Sequence, residues 1–208
     1  MGELTEFDVD KYINKYNLKI YFETGTGKSV SLSYALRYNF EYFYSVDIDK
    51  EFIEDARNKF NNSNLILIHN YSHLALKEYI PQIDKNKPIL FFLDAHFPGA
   101  DFHKITYEES LRKFLSDSLP LEKEINIITS LRNTSNDVFI IDDFMLYDNN
   151  NDYKAKKDGH IWKYKWLQDE LNLPTDPKFI YDTFSSTHEL NIDIRSQGYL
   201  IITPKEKK

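Results

Sequence analysis

Five short apolar runs separated by amphipathic stretches limit what this chain can fold into. They span residues 19–23 (KIYFE), 41–47 (EYFYSVD), 65–69 (LILIH), 88–94 (PILFFLD) and 137–142 (DVFIID). Each run is continuous rather than alternating, so both faces of each strand must be covered. Helical spacing falls between them, over residues 29–39, 50–60, 72–80 and 121–131. Ser72 is placed to cap the third of these helices. Strands and helices in alternation predict a doubly wound α/β fold, a mostly parallel Rossmann-like sheet with helices on both faces. Residues 160–171 read as a further helix, and 179–182 and 199–203 as two late strands, bringing the sheet to seven. Residues 97–120 and 147–158 read as loops over this core, the usual form of lids and substrate segments.

At 208 residues the chain is expected to form one domain. It has no cysteine, which excludes disulfides, thiolate nucleophiles and sulfur-ligated zinc. A net charge of −7 argues against a dedicated nucleic-acid binder, while leaving room for a local phosphate site. The apolar runs fall far short of the ~20 residues of a membrane helix. Residues 1–19 are charged and carry no signal-like apolar segment, so a cytoplasmic protein without membrane contact is expected.

Ligands of open α/β sheets bind beyond the carboxyl ends of the strands. Here those ends carry Glu23-Thr24-Gly25-Thr26-Gly27, Asp47-Ile48-Asp49, His69-Asn70-Tyr71-Ser72, Asp94-Ala95-His96 and Asp142-Asp143. A scaffold has no reason to gather negative charge at one edge, so the clustering points to an active site. The first turn admits three readings. Gly25-Thr26-Gly27-Lys28-Ser29 resembles the end of a phosphate-binding loop, and Leu93-Asp94-Ala95-His96 a Walker-B string, but bulky Phe22 stands where that loop needs a small residue. A dinucleotide fingerprint would need glycine at Val30. The third reading is an acidic turn, Glu23-x-Gly25-x-Gly27, with Asp47 ending the next strand. Glycines without a Cβ let the backbone approach a nucleoside. Glu23 can meet an ammonium and Asp47 the two ribose hydroxyls, a set that suits cationic S-adenosylmethionine and would repel ATP.

The strings Phe22-Glu23-Thr24-Gly25-Thr26, Tyr44-Ser45-Val46-Asp47-Ile48-Asp49, Phe92-Leu93-Asp94-Ala95-His96 and Ile140-Ile141-Asp142-Asp143 together resemble the small class I S-adenosylmethionine-dependent methyltransferases of sugar and natural-product modification. The resemblance covers residues 21–144. It implies a cofactor site formed by Glu23, Thr24, Gly25, Thr26, Gly27, Ser29, Asp47, Ile48, Asn70, Tyr71, Ser72 and Asp94. After the third strand the family has a Gly-Asp-Ser-like string where this chain has Asn70-Tyr71-Ser72, and Tyr71 is placed to stack on the base instead.

Methyl transfer to an alcohol needs positioning and an available lone pair. Asp142 and Asp143, facing Asp94 across adjacent strand ends, can form an all-oxygen Mg²⁺ site, with His96 as the base for the acceptor hydroxyl. This arrangement resembles the metal-dependent sugar O-methyltransferases related to macrocin O-methyltransferase, whose base at the position of His96 is typically Asp. The expected acceptor is a small molecule, a sugar or glycoconjugate.

Plainer roles stand beside these. Asp47, or better Asp49, can cap the helix over 50–60, Asp94 and His96 can be a buried pair, and Asp142-Asp143 can cap a turn. Lys28 reads as an exposed helix start, and His69 and His73 as structural. His103 approaches the site if its loop closes. Residues 153–166 mix five Lys with four aromatics. That composition suits an RNA methyltransferase, a phosphorylated or nucleotide-linked acceptor, or an amphipathic helix burying Trp162 and Trp166. A P-loop-like NTPase and a non-catalytic binding module are the rivals from other classes.

Overall fold

The structure, a computed structural model, describes residues 3–147, 176–196 and 198–206. Its strands are β1 (Ile20–Thr24), β2 (Tyr42–Asp47), β3 (Leu65–His69), β4 (Ile89–Leu93), β5 (Val138–Ile141), β6 (His188–Asp193) and β7 (Tyr199–Pro204). They form one sheet in the order β3-β2-β1-β4-β5-β7-β6. Strands β1 to β5 pair in parallel, and β7 runs antiparallel to both β5 and β6. The strand order reverses beside β1, where β2 lies on one side and β4 on the other. The switch point is therefore at the ends of β1, β2 and β4.

The continuous apolar runs are explained by two cores, one on each face. Along β4, Ile89, Phe91 and Leu93 enter one core, and Leu90 and Phe92 the other. Phe22, Phe91 and Phe139 line the first face, with the Phe91 and Phe139 rings stacked at 4.8 Å. Helices α4 (Ser72–Tyr79) and α6 (Leu121–Leu131) cover that face, while α1 (Val9–Tyr16) and α2 (Val30–Ala35) cover the other. Helix α3 (Lys50–Lys59) packs on β2 and β3. Phe22, the residue at odds with a phosphate loop, is fully buried and stacks on Tyr44 at 5.3 Å.

Three readings need correction. Residues 179–182 form part of a helix, α7 (Lys178–Phe184), rather than a strand. Its FIYD run looks strand-like, but Pro177 at the N-cap sets a helical entry, and Ile180 and Phe184 point together into the core. The sixth strand is instead His188–Asp193, mostly exposed and paired only with β7, so it lacks an apolar run. The stretch 97–120 is not all loop. It contains α5 (Tyr107–Phe114), opened by a capping box between Thr106 and Glu109. The helix read over 160–171, the basic-aromatic stretch 153–166 and all of 147–158 after Tyr147 lie outside the described residues. Among the described residues no helix is long and apolar enough to cross a membrane.

Candidate active site

The turn after β1 is held by backbone geometry. Gly25 has φ +87°, and its N–H donates to the Val46 carbonyl at 2.8 Å. A Cβ there would lie 2.4 Å from the Asp94 carbonyl oxygen, so this glycine serves the close approach of β1's turn to the end of β4. Gly27 has φ +46°, and a Cβ there would meet only the tip of the Phe102 ring, at 2.7 Å. Gly25→Ala is accordingly expected to cost roughly 2 kcal/mol or more, and Gly27→Ala about half as much because the ring can turn aside. Urea denaturation of both variants measures the difference.

Asp47 ties two loops together. One carboxylate oxygen accepts the Gly27 N–H and the other the Asp49 N–H, each at 2.8 Å. Burial pushes its pKa up to about 6 against the pull of these two amides. Asp49, not Asp47, caps α3 by accepting from the Glu51 N–H. Ile48, Tyr71 and Ser72 share a cavity with Asp47, Gly25, Thr26 and Gly27.

Four predicted cofactor residues lie elsewhere. Glu23 is fully buried, taking a hydroxyl donor on each oxygen, Tyr21 at 2.6 Å and Ser45 at 2.5 Å. Thr24 Oγ1 accepts the Asp94 N–H at 3.3 Å beneath the cavity. Asn70 Oδ1 accepts the Tyr71 N–H. Ser29 faces a separate groove. Burial raises the Glu23 pKa to about 8, so the folded protein holds a proton that the unfolded chain releases near 4.5. Stability from this group is complete below pH 4.5 and is lost as pH rises through about 8. Glu23→Gln should flatten that fall, which amounts to up to a few kcal/mol, when urea midpoints at pH 5.5 and 8.5 are compared.

At the ends of β4 and β5 the geometry centres on His96. Its Nε2 lies 2.8 Å from Asp143 Oδ2 and 3.1 Å from Asp94 Oδ1, and its Nδ1 3.5 Å from Asp101 Oδ2. Burial works against the imidazolium, but Asp143, Asp101 and Asp94 outweigh it and hold the His96 pKa well above its usual value. Asp101 is fixed by the Tyr107 hydroxyl at 2.5 Å. Neither Asp101 nor Tyr107 stands out in the sequence, since only the fold of the segment after β4 brings Asp101 to His96 and Tyr107 to Asp101. Glu124 of α6 shares a small cleft with His96 and Asp142, and burial raises its pKa to about 7.

Asp94, His96 and Asp142 each offer one ligand atom within 4.8 Å of the others. Asp142 is buried and its Oδ2 has no hydrogen-bond partner, a donor set that fits a divalent cation. Asp143 sits at φ +50° and turns one oxygen to His96, so in this grouping His96 stands where the sequence placed Asp143. His73 lines the cavity beside Tyr71, His69 bonds the Ile48 carbonyl outside it, and His103 is exposed.

The cavity thus joins the glycine turn and Asp47 to Asp94 and His96. Its interior volume is about 130 Å³, and it opens to solvent at one side. Glu3, Asp47, Asp94, Asp101 and Asp117 line it against Lys28 and the His96 imidazole. Phe102 closes over Gly27, packed on Phe52 at 4.5 Å.

No sequence profile of a protein family matches the chain, and no curated protein matches it in sequence. Solved structures do resemble it. A Staphylococcus aureus protein assigned as a caffeoyl-CoA O-methyltransferase aligns over 99% of this chain and 85% of its own, with TM-score 0.61 at 15% identity. A Streptococcus mutans protein assigned as a methyltransferase, in complex with SAH, aligns over 99% of both chains, with TM-score 0.54 at 12% identity. An O-methyltransferase of Bacillus cereus, also in complex with SAH, covers 95% of this chain and 79% of its own, with TM-score 0.52 at 12% identity. At these identities the likeness establishes architecture, and the chain has the seven-stranded fold of the class I S-adenosylmethionine-dependent methyltransferases.

Proposed function

We propose that this single domain transfers a methyl group from S-adenosylmethionine to a hydroxyl of a small molecule, a sugar or glycoconjugate. The observation that carries the reading is one acidic cavity at the switch point, joining Asp47 and the glycine turn to Asp94 and His96. S-adenosylmethionine supplies an electrophilic methyl on a sulfonium. The chain's part is to hold it, aim it and free a lone pair on the acceptor.

Each Asp47 oxygen has one amide partner, which leaves acceptor capacity for ribose hydroxyls. Tyr71 offers a ring to the base, and the five acids favour a cation while repelling a triphosphate. That charge sets this reading above an NTPase. Glu23 acts from below by fixing Ser45, whose hydroxyl meets Thr26 at 2.6 Å. Asp94 and Asp142 would hold a divalent cation, which supplies polarisation of the acceptor hydroxyl and leaves the His96 imidazole beside it. The two carboxylates suit Mg²⁺ or Mn²⁺. His96 is the base, and the 97–106 segment with Phe102 is the lid.

Calorimetry and thermal shift with S-adenosylhomocysteine, ATP and NAD in parallel test the cofactor. The first alone should bind, with a stabilisation of about 2.7 kcal/mol at 100 times its dissociation constant. Binding of ATP in its place would end the reading. Repeating the turnover assay with Mg²⁺, Mn²⁺ and EDTA tests the cation, and a rate indifferent to all three removes it.

A further inference from the structure

Beside the acidic cavity, on the outer side of the same turn, lies a second groove of opposite charge. Lys28, Arg37 and Lys59 line it together with Ser29, Ser33 and Tyr34, and no acidic residue does. In a chain of net charge −7 such segregation is unexpected on composition alone. Among the described residues none of the three cations has a carboxylate partner. Lys59 Nζ donates to the Lys28 carbonyl at 3.2 Å, which anchors its ammonium at the rim. Arg37 lies over the Tyr34 ring at 5.4 Å, which orients its guanidinium without neutralising it.

A second observation is independent of charge. Ser29 is 2% exposed, sits in the left-handed region at φ +64°, lines the groove and has a hydroxyl with no hydrogen-bond partner. An unpaired buried hydroxyl costs free energy unless a ligand completes it. Two cations without carboxylate partners, Arg37 and Lys59, and one orphaned donor in a single groove are the complement of a phosphoryl group, while the Lys28 ammonium at the rim lies over Phe102 at 5.7 Å.

We infer that this groove binds a phosphate-bearing small molecule, the phosphoryl group lying among Arg37, Lys59 and Ser29. Lys28 and Val30 line both the groove and the acidic cavity. A ligand crossing that rim places its anionic end away from the acids and its neutral end toward them. The identity of this ligand as the acceptor rests on the methyltransferase reading; the groove's affinity for phosphate does not.

The test is calorimetry at low ionic strength with S-adenosylhomocysteine saturating, titrating inorganic pyrophosphate, UDP and uridine. Pyrophosphate and UDP should bind saturably and weaken with added salt, while uridine should not bind. Arg37→Gln, Lys59→Gln and Ser29→Ala should each weaken UDP roughly fivefold to tenfold, the loss of one charge-assisted or buried hydrogen bond. Affinity for S-adenosylhomocysteine should stay unchanged in the Arg37 and Lys59 variants, which shows the fold intact. Absence of pyrophosphate binding, uridine binding as tight as UDP, or a UDP affinity unmoved in the Arg37→Gln/Lys59→Gln double variant overturns the inference. Failure of S-adenosylhomocysteine to bind the unmodified protein would instead strike the cofactor reading and leave the phosphate result to stand alone.

Discussion

His96→Ala is expected to lower the methyl-transfer rate by about a hundredfold to ten-thousandfold, the range for removing a positioned acid or base. Affinity for S-adenosylhomocysteine should change little, because a base acts on the acceptor rather than on the cofactor. Asp94→Asn should cut the rate similarly, since Asp94 holds Nε2 of His96 at 3.1 Å and shares the candidate cation site. The pH profile adds a sign. Asp143, Asp101 and Asp94 overcome burial and favour the protonated form of His96, and only its neutral form can accept a proton. The rate should therefore climb as pH rises from 6, about tenfold per unit, until His96 has titrated. Stopped assays across pH 6–10 read this directly. A rate that falls over that range, or a His96→Ala enzyme with full turnover, removes the base assignment.

The largest stability effect is expected far from the cavity. Arg132 and Asp137 are 6% and 1% exposed and pair through two contacts, Nε to Oδ2 at 2.8 Å and a terminal guanidinium nitrogen to Oδ1 at 3.0 Å. Arg132 also donates to the Lys87 carbonyl, and Asp137 accepts the Ile89 N–H at 2.8 Å. The pair thus joins the end of α6 to the starts of β4 and β5. Arg132→Met should cost about 3–5 kcal/mol, because it leaves a buried carboxylate without its counter-ion. For a chain of this size that lowers Tm by roughly 6–20 °C. Asp137→Leu combined with Arg132→Met should recover part of the loss and no more, since the Ile89 amide and Lys87 carbonyl remain unpaired. Urea denaturation of the two single variants and the double variant gives the coupling. A loss below 1 kcal/mol in Arg132→Met would show the pair to be dispensable.

How much of this was legible beforehand depended on whether a residue's role was local. Strands buried on both faces announce themselves as apolar runs, and β1 to β5 lie within a residue or two of their expected ends. An edge strand such as β6 has one neighbour and a mostly exposed surface, so HELNID carries no such run. Helix α5 did leave a signal, the Thr106-x-x-Glu109 capping box, overlooked because its single buried face holds little more than Ser110 and Leu111. Within the site, the positions at strand ends followed from topology, and Asp47, Asp94 and His96 do share one cavity. Side-chain direction did not follow. Glu23, expected to meet a ligand, turns to Tyr21, two residues back on the same face of β1, and to Ser45, set opposite it by the parallel register of β1 with β2. Asp101 reaches His96, and Tyr107 reaches Asp101, only because the 97–106 segment folds back, an outcome that no local pattern encodes.

The contact between Gly25 and the Asp94 carbonyl has a bearing on how such a protein could change its chemistry. The loop assigned to the methyl donor and the strand end assigned to the acceptor meet along a seam of main chain, with no side chain in between. Residues on either flank can then be exchanged without re-aiming one reactant at the other. A redesign aimed at a different acceptor would rewrite the rim contributed by residues 97–120 and leave that seam alone.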